Sequence, residues 1–378
     1  MRYRNTALML ALAWMLGACS SGGSNDDAGT PAQSPPTPTP NGSSAPSAVF
    51  VLGDSLSDVG NAAAAADFVL NLPPYPPTVG LCNPEDVLVL KRSCDELFYR
   101  KSRVSNGPVA VEYLARHFGL GELKPALYFL FTRPVEGTNY AVAGAKAREP
   151  GQGDLGRQVD MLLLDHSSQL PADALYVIMI GGNDAIDALK TAVGGDENAD
   201  KASAAIVTAA VAAIGTNLEH LLDAGARRLI VANVPDLSML PAVRAKAHAS
   251  SDEAGMLATA RAISDSFNRE LDMRLDQVTA DGRWSSTSPP SLKRFDLSAA
   301  WHAADAAFKA QGKDTMDACF NSDIYRHSST AVRVFAPGCA PKDGGAPRFS
   351  QFAFWDDLHP TAAMHAALGA ALVNVLGR

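Results

Sequence analysis

Short apolar runs alternate along the chain with longer segments of helical periodicity. The segments 203–224 and 252–276 repeat apolar residues every three or four positions, which predicts amphipathic helices. The apolar runs are too short for helices; they occupy 49–52, 139–143, 176–180, 228–234 and, more weakly, 293–297. Strands that alternate with helices in this way predict a parallel sheet with helices on both faces. We therefore expect one large α/β domain.

Three of these predicted strands are followed by a polar side chain or an unobstructed backbone N–H. Ser55 follows the first strand, Gly144 the run at 139–143, and Asn183 the run at 176–180. In parallel sheets, catalytic and binding groups collect at the carboxyl ends of strands. Each residue also has a structural interpretation: Ser55 as a helix N-cap, Gly144 as a point of close packing, and Asn183 as a turn former.

A candidate base and a candidate acid occur together near the C-terminus. Asp356 precedes His359 by three positions, which on a helical turn places both side chains on one side, whereas Asp357 would point elsewhere. The Asp356 carboxylate could then accept a hydrogen bond from Nδ1 and leave Nε2 to take a proton. A lone histidine would more often be structural, so the prediction depends on this spacing.

The composition is that of a globular protein with an acidic balance. Of the 378 residues, 47% are hydrophobic and 19% are charged, and the formal net charge at pH 7 is -8. This charge argues against a nucleic-acid partner, because binding to phosphates requires a basic surface.

Residues 1–19 have the pattern of a processing signal. Arg2 and Arg4 precede an apolar run at 7–16, which is shorter than the roughly 20 residues of a membrane-spanning helix. The run ends in a Leu-Gly-Ala-Cys sequence that resembles a bacterial lipobox. The resemblance implies that Cys19 is lipidated and that the protein is an outer-membrane lipoprotein. The alternative is an ordinary secretory signal with an incidental cysteine.

Residues 20–47 hold small and polar residues with several prolines and no large apolar side chain. This composition predicts an extended tether. The folded domain is then expected at 48–378, with the lipid at Cys19 as its attachment to a membrane.

Four cysteines remain once Cys19 is assigned to lipid. They are Cys82, Cys94, Cys319 and Cys339, and export to an oxidising compartment favours disulfides. Four cysteines allow three pairings, of which sequence proximity favours 82 with 94 and 319 with 339.

Four motifs together resemble the SGNH, or GDSL, family of serine esterases and lipases. They are GDSLSD at 53–58, NYAVAGA at 139–145, GGND at 181–184 and WDDLHPT at 355–361. The resemblance implies a flavodoxin-like three-layer α/β/α fold with about five parallel strands, an ester or lipid substrate, and neither a metal nor an organic cofactor. It also implies roles for five residues: a triad of Ser55, Asp356 and His359, and an oxyanion hole formed by the N–H groups of Ser55 and Gly144 and the side-chain amide of Asn183.

Two other functions are compatible with parts of this pattern. A metal-dependent phosphoesterase also uses Asp, Asn and His after strands, but it needs a DxH motif upstream of GDSLSD, and none occurs there. Position 184, where its GNH motif would have His, is Asp, and no GHxH motif follows downstream. A non-catalytic surface lipoprotein could use the same scaffold. The substrate and its acyl-chain length stay open, because they depend on segments expected to be loops, at 71–106, 120–137 and 300–350. The oligomeric state stays open as well.

Overall fold

A parallel sheet stands at the centre of the fold. Its strands are β1 (Val49–Gly53), β2 (Leu175–Met179), β3 (Arg228–Ala232) and β4 (Ser291–Phe295), in that spatial order. Each strand pairs in parallel with its neighbour. All residues of β1 and β2 are buried, as parallel strands covered on both faces require. The predicted parallel α/β sheet is confirmed.

The computed structural model describes residues 45–62, 103–126, 137–151, 153–284, 289–320, 335–336, 338–339 and 347–377. Several predictions lie outside these residues: the leader, the lipidation of Cys19, the tether as far as residue 44, and the pairing of Cys82 with Cys94.

The segment predicted as a strand at 139–143 lies beside β1 without forming a regular strand. Asn139 forms an isolated parallel bridge to Val51. The N–H of Tyr140 donates to the carbonyl of Val51 at 2.7 Å, and the N–H of Val142 to that of Gly53 at 3.0 Å. With this segment on one side of β1 and β2 on the other, the order along the sheet is flavodoxin-like, and β1 stands at the topological switch point where ligands bind in such folds.

Helices form the two outer layers. The helices in the described part of the chain are α1 (Ala110–His117), α2 (Leu155–Asp165), α3 (Gly182–Ala192), α4 (Ala199–Asp223), α5 (Pro241–His248), α6 (Glu253–Ala280), α7 (Leu297–Ala310) and α8 (Ala362–Asn374). On one face, α4 packs against α2, α3 and α6; on the other, α8 packs against α1 and α7. This arrangement agrees with the expected three-layer α/β/α fold.

Helix α4 is long and apolar enough to cross a membrane by length and composition alone. Its buried residues, however, recur along one face, from Val207 through Ile214 to Leu221. They pack against neighbouring helices of the domain, so α4 is a core helix.

The interval 300–350, expected to be a loop, contains regular structure. Helix α7 occupies its beginning, and β5 (Asp314–Ala318) pairs in parallel with β6 (Phe352–Phe354) in a second, two-stranded sheet. The buried residues Leu297, Trp301, Ala304 and Phe308 follow helical spacing. This spacing is present in the sequence and predicts the helix that the expectation of a loop overlooked.

Gly181 determines how α3 begins. It adopts a φ of +111°, and a Cβ at this position would lie 2.4 Å from the ring of Phe267. Only glycine meets both demands without strain. The turn places Asn183 in the first turn of α3, directly after the carboxyl end of β2.

Candidate active site

Ser55 lies in a tight turn at the carboxyl end of β1. The carbonyl oxygen of Asp54 accepts a hydrogen bond from the N–H of Asp58 at 3.0 Å, which closes this turn. Gln158 of α2 braces the strand end, because its Oε1 accepts from the N–H of Gly53 and its Nε2 donates to the carbonyl of Gly53, both at 2.8 Å. The serine is therefore held at the switch point of the sheet.

Ser55, His359 and Asp356 form one hydrogen-bonded line. The Nε2 of His359 lies 2.8 Å from the Oγ of Ser55. The Nδ1 of the same ring lies 2.9 Å from each carboxylate oxygen of Asp356. A carboxylate at Nδ1 fixes the ring tautomer and leaves Nε2 as the proton acceptor for the serine.

The turn that brings Asp356 to His359 differs from the helical turn that we expected. Residues 355–359 form a series of bends. The Oδ1 of Asp356 accepts hydrogen bonds from the N–H groups of Leu358 and His359, at 2.9 Å and 2.6 Å. The side chain thus shapes its own turn, as aspartate does in Asx-turns, and this turn aims the carboxylate at the ring.

The pKa of His359 is raised above its ordinary value of 6.5. Burial lowers this pKa, but the negative charges of Asp356, Asp357 and Asp54 outweigh burial. Asp54 is itself fully buried, and burial raises its pKa to about 6. The histidine therefore holds a proton readily once it has taken one, which suits a base that must later return the proton.

The three candidate oxyanion donors come from three neighbouring segments of the sheet. Among the described residues, the N–H groups of Ser55 and Gly144 have no hydrogen-bond acceptor. Gly144 is exposed and adopts a left-handed φ of +86°. The Nδ2 of Asn183 donates to the carbonyl of Ala145 at 2.9 Å, and because a primary amide carries two hydrogens, one remains for a ligand. Each of these three groups thus has a hydrogen available for a ligand, and their role as an oxyanion hole stays a prediction.

Two residues absent from the sequence analysis hold the histidine segment. The hydroxyl of Ser105 donates to the carbonyl of Pro360 at 3.0 Å, and the Oδ1 of Asn106 accepts from the N–H of Ala362 at 2.8 Å. These partners are 255 and 256 positions apart along the chain. Sequence spacing gives no signal for contacts of this range.

The disulfide between Cys319 and Cys339 is present in the structure. It belongs to a buried cluster in which the ring of Phe320 stacks on that of Trp355, with centroids 5.5 Å apart. The N–H of Phe320 also donates to the carbonyl of Trp355 at 2.8 Å. Because Trp355 directly precedes Asp356, this cluster supports the segment that carries the candidate acid.

Comparison with known proteins identifies the family of this chain. Residues 49–372 match the family model described as GDSL-like lipase/acylhydrolase. The chain belongs to the GDSL-like lipase/acylhydrolase family. The matched region contains all five residues to which the resemblance gave a role.

Three curated relatives illustrate the range of this GDSL-like family. Lipase 1 of Photorhabdus luminescens is 26% identical over 283 residues, which cover 64% of this chain and 42% of that protein. GDSL esterase/lipase LIP-4 of Arabidopsis thaliana is 22% identical over 355 residues, 86% of this chain and 85% of that protein. Inactive GDSL esterase/lipase-like protein 25 of the same plant is 26% identical over 204 residues, 52% and 43% of the two chains.

The matched part of the chain spans less than half the length of two of these relatives. One relative is also named as inactive. Membership of the GDSL-like family therefore gives the class of chemistry, and activity has to be argued from the site itself.

Proposed function

We propose that the protein hydrolyses carboxylic acyl esters through an acyl-enzyme on Ser55. The observation that carries this proposal is the hydrogen-bonded line from Ser55 Oγ through His359 to Asp356, with distances of 2.8 Å and 2.9 Å. An activated serine needs a base in contact and a third group that orients the base. The contacts among Ser55, His359 and Asp356 support this assignment of roles.

The reaction proceeds in two halves. His359 Nε2 takes the hydroxyl proton as Ser55 Oγ bonds to the ester carbonyl carbon. The carbonyl oxygen becomes negative and is met by the N–H groups of Ser55 and Gly144 and the amide of Asn183; one such donor is worth about 2.7 to 4 kcal/mol in other serine hydrolases. The intermediate then collapses, the bond to the alcohol breaks, and His359 gives its proton to the leaving oxygen. Water attacks the acyl-enzyme by the same steps and regenerates the serine.

Hydrolysis of chromogenic acyl esters tests the proposal. We expect activity that survives EDTA and disappears in Ser55→Ala. Loss of activity in EDTA with a functional Ser55→Ala variant would support the metal-dependent alternative. Within the described ranges, no group of three or more His, Cys, Asp or Glu side chains is placed to hold a metal ion. No hydrolysis of any ester from acetyl to palmitoyl, in detergent and at mildly alkaline pH, would favour the non-catalytic scaffold.

The substrate class within this proposal is an ester or a lipid, at the end of a membrane-attached tether. Support comes from the lipobox-like sequence at Cys19 and from the relatives named lipase or esterase/lipase. A series that compares short esters, triglycerides and phospholipids would decide between an esterase, a lipase and a phospholipase.

A further inference from the structure

The buried carboxylate of Asp58 connects two segments of the site. It is 1% exposed and accepts four backbone hydrogen bonds. Its Oδ1 accepts from the N–H groups of Gly60 and Asn61, both at 2.7 Å. Its Oδ2 accepts from Ala62 at 3.0 Å and from Ala143 at 2.8 Å. The first three donors follow the Ser55 turn, but the fourth is the residue directly before Gly144.

A second buried carboxylate acts on the other side of Gly144. The Oδ2 of Asp184, which is fully buried, accepts from the N–H of Ala147 at 2.8 Å, and its Oδ1 pairs with the guanidinium of Arg148 at 2.8 Å. The neighbouring Asn183 donates to the carbonyl of Ala145, which lies between the residues held by Asp58 and by Asp184. The loop 143–148 is therefore fastened on both flanks, by the turn that carries Ser55 and by the start of α3.

Gly144 has little of its own to hold it. A Cβ at this position would meet nothing within 4 Å, and the residue is exposed. The direction of its N–H therefore depends on its neighbours. The N–H of Ala145 donates to the carbonyl of Val142 at 3.0 Å and closes a turn around Gly144, and the N–H of Lys146 donates to Asp154 of the α2 N-terminus at 2.6 Å.

Asp58 and Asp184 hold this turn from its two sides, at residues 143 and 147–148. An oxyanion donor must lie about 2.7 to 3.1 Å from the developing charge, and a displacement of about 1 Å in a catalytic group can cost 10²-fold in rate.

We propose that Asp58 and Asp184 are positioning residues that together aim the N–H of Gly144 at the oxyanion. This inference rests on the proposed ester hydrolysis, in which the two carboxylates fix the position of one oxyanion donor. Neither carboxylate touches the substrate; each acts through a backbone N–H of the loop that it fastens.

Matched isosteric variants test the inference. Asp58→Asn keeps the volume of the side chain but turns an NH₂ group towards two of the four N–H donors. Asp184→Asn weakens the bonds to Ala147 and Arg148 on the other flank. For each variant we expect kcat to fall about 10- to 100-fold with KM changed less than twofold. The affinity for a trifluoromethyl ketone, whose adduct with the serine carries the oxyanion, should fall by the same factor as kcat/KM.

The control is Asp252→Asn. Asp252 also accepts a backbone N–H, from Gly255 at 2.9 Å, at the start of α6. We expect it to lower the unfolding temperature slightly and to leave kcat and inhibitor affinity unchanged. A double-mutant cycle with Gly144→Ala tests whether Asp58 acts through Gly144. If it does, adding Asp58→Asn to the Gly144→Ala variant should lower kcat by less than a further threefold.

The outcomes separate this inference from the function on which it rests. Wild-type protein that hydrolyses no ester overturns both. An active wild type in which Asp58→Asn and Asp184→Asn lose only thermal stability, with kcat and inhibitor affinity retained, overturns the inference alone. The inference is also overturned if the loss of kcat in the double variant equals the product of the losses in Asp58→Asn and Gly144→Ala. If Asp58→Asn does not fold, Asp184→Asn with the same two readouts decides.

Discussion

The buried charge of Asp54 makes folding stability depend on pH in an unusual direction. Burial raises the pKa of this carboxyl from 3.8 to about 6. Near pH 4 the side chain is largely protonated in the folded state, whereas above pH 6 it is ionised in both states and the whole cost of burying the charge applies. The contribution of Asp54 to the free energy of unfolding therefore falls as pH rises from about 4 to about 6.

The size of this effect follows from the shift. A difference of about two pKa units corresponds to about 3 kcal/mol. Asp54→Asn removes the charge and keeps an oxygen that can accept from the N–H of Leu56, as Oδ1 does at 3.1 Å. At pH 4 the unfolded carboxyl is already partly ionised, so that part of this difference lies below the range tested. Relative to the wild type, the variant should therefore gain about 2 kcal/mol of unfolding free energy between pH 4 and pH 7.5.

Urea unfolding at pH 4, 5, 6 and 7.5, under oxidising conditions that keep the disulfide between Cys319 and Cys339, measures this gain. Comparing variant with wild type at each pH cancels the titration of the groups with which Asp54 does not interact, so that only Asp54 and its electrostatic partners His359 and Asp184 contribute to the difference. Asp265→Asn is the control, because Asp265 is exposed on α6, and its difference from wild type should stay flat. A flat difference for Asp54→Asn as well would refute the reasoning, since it would mean that the charge is solvated or compensated in the folded protein.

Three further predictions concern catalysis and attachment. The pKa of His359 is raised above 6.5 and the neutral ring is the base, so kcat/KM should fall as pH drops through a value above 6.5. Asp54→Asn should move this acidic limb of the pH profile to lower pH. An acidic limb at or below pH 6.5 in the wild type would contradict this prediction. Asp356→Asn should lower turnover, measured as initial rates, by up to about 10⁴-fold, as in another serine hydrolase. The loss should be far larger than in Asp357→Asn, because Asp356 lies 2.9 Å from Nδ1 of His359. A larger loss in Asp357→Asn would assign the acid to Asp357. Cys19→Ala should leave ester hydrolysis intact and release the protein from the membrane fraction, and its retention there would reveal another anchor.

The centre of the sheet could be predicted from the sequence because β1, β2 and β3 consist mostly of apolar residues. The runs at 176–180 and 228–234 correspond to β2 and β3, and the helical pattern at 252–276 corresponds to α6 with its N-cap Asp252. The edge strand β4 has the sequence Ser-Leu-Lys-Arg-Phe and begins two residues before the weaker run at 293–297. Burial on both faces removes the polar residues that would obscure such runs. The segment at 139–143 was harder to classify, because it is held to β1 by a few hydrogen bonds and forms only an isolated bridge.

The contacts that support the site could not be predicted in the same way. Gln158 reaches the end of β1 across 105 positions, and Asn61 binds the carbonyl of Asn139 across 78. In the sequence, Asn61 is a polar residue beside a run of alanines, and Gln158 lies between Arg157 and Asp160 in a helical segment, so that turn formation or solvent exposure explains each equally well. Only the packing of the whole domain brings such partners together. The contact between Asp356 and His359 could be predicted because it is local, although it forms through a turn shaped by the Asp356 side chain and not through the helical turn that we expected.

The distance between Ser55 and His359 along the chain has a consequence for biogenesis. The two residues are 304 positions apart and meet only through the final segment of the domain. For the proposed reaction, a growing chain therefore carries a nucleophile without a base until the segment that contains His359 has been synthesised and has folded. Ester hydrolysis would begin only when β6 and α8 have docked, so activity itself reports that the C-terminal part of the domain has folded.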